Sequence, residues 1–151
     1  MPRPKNYRIG IIADTHNRWM PQVAELFGKV DEIWHLGDVC EEPILDQLRA
    51  LNPHLTVVLG NNDTNLDYPL TLDLERCGER FHLVHIPPRH MPPASDWLLF
   101  GHTHRPIDEI HNGIHLFNPG SAGLANKGAP RSIGFLIREN GGKFRAEKIL
   151  L

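Results

Sequence analysis

Cysteine is scarce: Cys40 and Cys77 are the only two in 151 residues. They form no CxxC pair, which argues against a zinc ribbon or a redox dithiol. Two free thiols suit a reducing compartment. Long apolar runs are missing too. No segment approaches the ~20 apolar residues of a membrane-spanning helix. The first apolar run, residues 9–13, is too short for a signal-peptide core. A cytoplasmic location is therefore the default expectation. Charge of one sign is also lacking, since the formal net charge is −2. That balance gives no support to a nucleic-acid or membrane surface, although a local basic patch is compatible with it. There is no internal repeat, no low-complexity tract and no linker-like stretch. One domain over residues 1–151 is expected. With 40% hydrophobic residues, the chain has enough apolar material for a core without disulfides.

Histidine, by contrast, is abundant, with ten in the chain. It is the commonest metal ligand and the usual acid or base near neutral pH, so the positions of these ten carry the argument. The first half of the chain reads strand 7–13, helix 21–27, strand 32–36, helix 43–51, strand 55–59. Short strands alternating with helices predict parallel βαβ units. Pro21 suits a first helical position, and Ile44, Leu45, Leu48 and Leu51 share one helical face. The second half reads as strands at 70–75, 80–86, 96–100, 114–117, 132–138 and 144–150. Asn112-Gly113 and Asn140-Gly141-Gly142 are hairpin signals. Two packed sheets are expected, the first mainly parallel, with helices outside.

Metal-capable side chains recur at the C-terminal ends of these strands. Asp14-Thr15-His16 ends the first, Gly37-Asp38 the second and Gly60-Asn61-Asn62-Asp63 the third. His85 ends the 80–86 strand, and Gly101-His102-Thr103-His104 follows the 96–100 strand. Ligands of open α/β sheets bind outside such ends. Each motif alone is weak, since Gly-Asp after a strand is ordinary turn chemistry. His-x-His is stronger, because residues two apart in an extended stretch face the same way. The joint pattern is specific. Carboxylate, imidazole and amide oxygen suit Mn²⁺, Fe²⁺, Zn²⁺ or similar ions, and the absence of thiolate argues against a structural zinc.

Together, Asp14-x-His16, Gly37-Asp38, Gly60-Asn61, His85 and Gly101-His102-Thr103-His104 resemble the motif set of the calcineurin-like metallophosphoesterase superfamily. Asn118-Pro119-Gly120-Ser121, Pro130-Arg131-Ser132 and the short chain are similar to its small prokaryotic phosphodiesterase family. The resemblance spans nearly the whole chain. It implies an α/β fold, a four-layer αββα sandwich of two mixed sheets flanked by helices. It also implies two divalent metal ions, with Mn²⁺ favoured over Fe²⁺, Ni²⁺ or Zn²⁺. One would take Asp14, His16, Asp38 and His104, the other Asp38, Asn61, His85 and His102. The implied activity is that of a hydrolase in which a metal-bridging hydroxide attacks a small phosphodiester or phosphomonoester. Asp38, Asn61 and His104 are assigned to that chemistry, and a homodimer is suggested by resemblance alone. Metal binding should weaken in acid, because the ligand histidines must be neutral. The alternative is a scaffold of the same fold acting through protein contacts, as a small retromer subunit of the superfamily does. A nuclease is a third reading with little support from the charge balance.

Two departures from the family pattern stand out. Many members carry histidine after the ligand asparagine, where this chain has Asn62. An amide cannot act as a general acid at neutral pH, so activated aryl diesters are expected to turn over better than alkyl monoesters. After His85 the family usually has glycine. Here Ile86 leads into a loop containing Pro87, Pro88, Pro92 and Pro93, which forbids a regular helix. That loop has two readings: a more open site in which Arg89 and His90 reach a phosphate, or a stiff surface loop with both side chains solvated. Arg105 and Arg131 are candidate phosphate contacts by charge or plain surface arginines. Asn17 is either a substrate contact or a turn cap. His35 either buttresses the metal ligands or is a core histidine. Trp19, Trp34 and Trp97 are expected to pack, and His54, His82, His111 and His115 receive no role.

Overall fold

The computed structural model describes residues 3–92, 94–123 and 129–151. β1 (Tyr7–Ile12), β2 (Glu32–His35) and β3 (Leu55–Val57) run parallel, linked by α1 (Pro21–Leu26) and α2 (Glu42–Leu51). These strands are rich in apolar residues because both of their faces are covered. Ile12, Ile33 and Val57 meet the helices through Val23, Phe27, Leu45 and Leu48. Ile9, Ile11 and Trp34 point the other way, onto Phe81, Leu83, Trp97 and Leu99. Gly10 lies on the helix side, where a Cβ would run into the ring of Phe27.

The second half supplies β4 (Thr71–Arg76), β5 (Glu79–Val84), β6 (Trp97–Leu99), β7 (Ile107–His111), β8 (Ile114–Asn118), β9 (Ser132–Arg138) and β10 (Arg145–Leu150). The first sheet has the order β10-β9-β1-β2-β3 and the second β4-β5-β6-β8-β7. In the first, β9 pairs antiparallel with both β1 and β10. That sheet is therefore mixed, as the resemblance implied, with a parallel half and an antiparallel half; the strand–helix alternation by itself had suggested a mainly parallel one. The Asn140-Gly141 turn, with φ of 54° and 72°, reverses the chain tightly, and so short a connection permits only antiparallel neighbours.

β7 was not expected from the sequence. Its Ile-Asp-Glu-Ile-His run is mostly exposed, so it lacks the alternation that marks a half-buried strand. The Asn112-Gly113 turn that follows it, with φ of 51° and 80°, matches the type I′ hairpin signature and was its one trace.

The sheets pack face to face through the layer of Trp34, Phe81, Trp97, Phe117 and Phe144. Both described helices lie outside, covering the first sheet, and no described helix covers the second. Leu98, Phe100 and Leu116 form a small cluster with Val84, Ile107 and Ile114 on the second sheet. In the connection between β5 and β6 no described residue is helical, consistent with its prolines; Pro93 lies outside the described residues. Among the described residues no helix is long and apolar enough to cross a membrane. β1, β2 and β3 share one direction, as do β5 and β6. Their C-terminal ends therefore deliver five loops to one edge of the sandwich.

Candidate metal centre

The loops after β1 and β2 are laced by backbone bonds. Asp14 N–H donates to Gly37 O at 2.9 Å, His16 N–H to Asp38 O at 3.0 Å and Asn17 N–H to Val39 O at 2.9 Å. Asp14, His16, Asp38, His102 and His104 take φ of 55°, 46°, 57°, 68° and 60°. This left-handed region is unfavourable for side chains with a Cβ, and such strain gathers at functional sites.

The result is a tight ring of donors. Asp14 Oδ1 lies 3.7 Å from His16 Nε2, 3.7 Å from His85 Nε2 and 3.4 Å from His104 Nε2. Asp38 Oδ2 lies 3.5 Å from His16 Nε2 and 3.3 Å from His85 Nε2. His16 Nε2 and His104 Nε2 are 3.3 Å apart. The His102 ring stands edge-on to His85 at 5.2 Å, and its Nδ1 is 3.1 Å from Asn61 Oδ1. All seven residues singled out in the sequence therefore meet. Asp14, Asp38 and His85 are buried at the floor, while Asn61 and His102 are exposed at the rim.

Two donors at the floor are orphaned. Asp14 Oδ1 and His85 Nε2 are buried with no hydrogen-bond partner among the described residues. Leaving such atoms unsatisfied costs about 1–3 kcal/mol each, and a shared cation removes that cost. His85 Nδ1 lies 2.8 Å from Leu36 O. Donation to that carbonyl leaves the Nε2 lone pair for the site, as metal-binding imidazoles require. Two groups have ligand atoms close enough to hold an ion, Asp14–His16–His104 and Asp14–Asp38–His85. The residues present thus fit divalent metal.

The electrostatics are those of an electronegative hole. Burial alone would raise the Asp38 carboxyl, but His85 and the two Asn62 donors outweigh it and hold it well below the usual carboxylate range. Contact with Asp14 raises His16. Burial lowers His85, but Asp38 and Asp14 overcome that and raise it. Protons and divalent cations would therefore compete for the same atoms.

Several neighbours hold this ring in place. Asp63, buried in the turn after Asn61, accepts from Asp38 N–H at 2.8 Å, Cys40 N–H at 2.7 Å and Gly60 N–H at 2.8 Å. The sequence reading took Asn61 from this turn as a ligand and gave Asp63 no role. Its one signal was a carboxylate three residues after the glycine. Gly60 itself is forced, because a Cβ there would collide with the carboxylate and amide of Asp38. Asn62 donates to Asp38 through its backbone N–H at 3.0 Å and its Nδ2 at 2.9 Å. Asn118 Nδ2 donates to Gly101 O at 3.0 Å and Thr103 Oγ1 at 3.1 Å, setting the His102–His104 turn. Ser121 Oγ donates to Asp14 O at 3.0 Å.

His35 is a buttress rather than a spare core histidine. It is fully buried, accepts from Gly37 N–H through Nδ1 at 3.0 Å and lies 3.1 Å from Thr15 Oγ1 through Nε2. Burial pushes its pKa down to about 4, below the ~6.5 of an unfolded histidine. A depressed pKa gives stability that is complete above pH ~6.5 and lost as the pH falls through ~4, about 3 kcal/mol in all. In metal-free protein, His16 and His85 slope the other way, since their raised values add stability only on the acid side. His35→Asn retains an acceptor for Gly37 N–H. Its stability difference from the parent should shrink as the pH drops from 7 to 4 in urea titrations of chelated protein. A constant difference would remove His35 as the titrating group.

The four expected substrate contacts, Asn17, Arg89, His90 and Arg105, are all exposed. Arg89 and His90 are exposed and form no hydrogen bond or ion pair with the described residues. Arg105 is exposed and anchored only by its own N–H, which donates to Thr103 Oγ1 at 3.3 Å. Asn17 is exposed beside His16, its backbone tied to Val39. Arg131 Nε donates to Gly123 O at 3.0 Å, and Gly123 N–H donates in turn to Asp14 O at 3.1 Å. Trp34 and Trp97 are core residues, as expected.

Comparison with known proteins agrees with this geometry. Residues 7–141 match the family model described as the calcineurin-like phosphoesterase superfamily domain. A probable metallophosphoesterase of Methanothermobacter thermautotrophicus is 30% identical, covering 93% of this chain and 91% of that protein. Phosphodiesterase YfcE of Escherichia coli K12 is 29% identical, covering 76% of this chain and 78% of its own length. Among solved structures, vacuolar protein sorting 29 from Cryptosporidium parvum superposes with a TM-score of 0.78 at 18% identity, over 98% of this chain and 100% of that one. The motif set, the two-sheet architecture and these matches place one conclusion beyond the individual residues: the chain belongs to the calcineurin-like phosphoesterase superfamily.

Proposed function

We propose that the chain is a phosphodiesterase dependent on two divalent metal ions, with a small phosphodiester as substrate. The observation that carries this reading is the pair of buried, unpartnered atoms, Asp14 Oδ1 and His85 Nε2, enclosed by imidazoles. Asp14, His16, Asp38 and His104 would hold one ion, and Asp38, Asn61, His85 and His102 the other. The resemblance favours Mn²⁺, and the mixed carboxylate, imidazole and amide donors accept Fe²⁺, Ni²⁺ or Zn²⁺ as well. When bound, such ions supply charge neutralisation at the phosphoryl oxygens and acidify water to near neutral pH.

The chain's own residues contribute position and field. Asp63 and His35 pin the three loops that carry Asp14, Asp38 and Asn61. Asn62 aims both Asp38 oxygens by donating to each of them. That commitment leaves no proton donor at position 62, and an amide would not serve as one. Turnover should accordingly follow leaving-group acidity. Bis(p-nitrophenyl) phosphate should be hydrolysed once Mn²⁺ is restored to chelated protein, and far faster than an alkyl phosphomonoester under the same conditions. The reverse ranking at saturating metal would mean that another group protonates the leaving oxygen. The likeness to vacuolar protein sorting 29 supports a second reading, a protein-binding scaffold. Retention of all seven ligand-type side chains at one edge favours the enzyme. Protein that keeps no metal after dialysis and is inert with added Mn²⁺ would favour the scaffold.

A further inference from the structure

Two histidines of the ring are held by their outer nitrogens in different ways. His85 Nδ1 faces a backbone carbonyl, Leu36 O, at 2.8 Å. His16 Nδ1 faces sulfur instead, with Cys40 Sγ at 3.8 Å. Among the described residues this thiol is the hydrogen-bond partner of that nitrogen, because the contacts of His16 with Asp14, Asp38 and His104 are made at Nε2. The backbone puts Cys40 there. His16 N–H donates to Asp38 O and Asn17 N–H to Val39 O, so the two loops run side by side. Asp63 Oδ1 then accepts from Cys40 N–H at 2.7 Å. Cys40 takes φ of 77°, a left-handed conformation that a residue with a Cβ keeps only under restraint.

The chemistry of the ring asks for such a neighbour. A neutral imidazole that gives one nitrogen to a metal carries its proton on the other. With Nε2 turned to the ring, His16 bears that proton on Nδ1 and needs an acceptor for it. Metal-binding histidines usually donate to a carboxylate, a backbone carbonyl or water. Sulfur is a weaker acceptor than these. We propose that Cys40 is the positioning residue of His16: its sulfur receives the Nδ1 proton, fixes the tautomer that leaves Nε2 for a metal, and holds the ring toward Asp14 and Asp38. Cys40 acts through His16 and is not itself a ligand, since it belongs to neither group of residues whose atoms lie close enough to share an ion. Leu36 O does the same for His85. The inference rests on the two-metal reading above and deepens it.

Mn²⁺ titration of chelated protein against a competing fluorescent chelator tests this without any turnover. His16 serves one ion only in that reading. Cys40→Ala should therefore weaken one of the two binding steps about tenfold, the low end for loss of such a partner, and leave the other largely unchanged. Alanine keeps the Cβ, so the strain at this φ is common to parent and variant. Cys40→Asn is the rescue. Asparagine tolerates the left-handed backbone, and its neutral carbonyl oxygen is a better acceptor than sulfur. The affected step should return to the parental affinity or exceed it. Cys77→Ala controls for loss of a thiol. It lies in the β4–β5 turn, at the opposite end of β5 from His85, and should bind both ions as the parent does. Two unaltered steps in Cys40→Ala would overturn the assignment. So would two steps that weaken together and do not recover in Cys40→Asn, which is the pattern of a merely structural cysteine. Either result leaves the two-metal reading standing. A parent that binds no ion sinks that reading, and the role of Cys40 with it.

Discussion

Asp38→Ala is expected to lower kcat/KM on bis(p-nitrophenyl) phosphate by at least about a thousandfold and to abolish stoichiometric binding of two metal ions. Its Oδ2 lies within 3.5 Å of both His16 Nε2 and His85 Nε2, so one carboxylate serves both halves of the ring. Truncation leaves Asp14 as the sole anion facing three imidazoles. It also frees Asn62, which loses both acceptors. The loop itself should survive, because Asp63 bonds the backbone N–H of residue 38 and not its side chain. Metal analysis alongside steady-state kinetics tests this. A variant that keeps two ions and parental turnover would remove Asp38 from the bridging position.

The largest effect on stability is expected at Asp63. Its buried carboxylate accepts three backbone N–H groups from two loops. Asp63→Ala leaves those donors facing a cavity. At about 1–3 kcal/mol for each unsatisfied group, partly relieved by water, the loss should be about 3–5 kcal/mol. Urea unfolding of the metal-free protein should show a lower midpoint with an unchanged slope. Asp63→Asn retains some acceptor capacity and should fall between the two. Activity should drop with stability, since the same bonds set Asp38 and Asn61. An alanine variant that unfolds at the parental midpoint would mean the loops are held by other contacts.

The candidate site was legible in the sequence to an unusual degree. Asp14, His16, Asp38, Asn61, His85, His102 and His104 were marked by side-chain type and by recurrence after apolar strands. The order of strands and helices was legible for the same reason in β1 to β3, where burial on both faces leaves a continuous apolar run. It failed at β7, an exposed edge strand whose two isoleucines fall three apart. Strand–helix alternation also overstated the parallel share of the first sheet, since β9 reads as a buried strand whichever way it runs. Arg89 and His90 were singled out by their place in the proline-rich loop and Arg105 by charge, and neither signal says where a side chain points.

Residue chemistry and local periodicity are properties of short stretches, so the sequence by itself determined the donor types, the βαβ half and the turns that end each strand. Which oxygen faces which nitrogen is a long-range matter. The pairing of Asp14 with His104 and the grip of Asp63 on residue 38 join segments brought together only by sheet packing. Tertiary structure decided those, because register and interlayer contact set distances that no local pattern encodes.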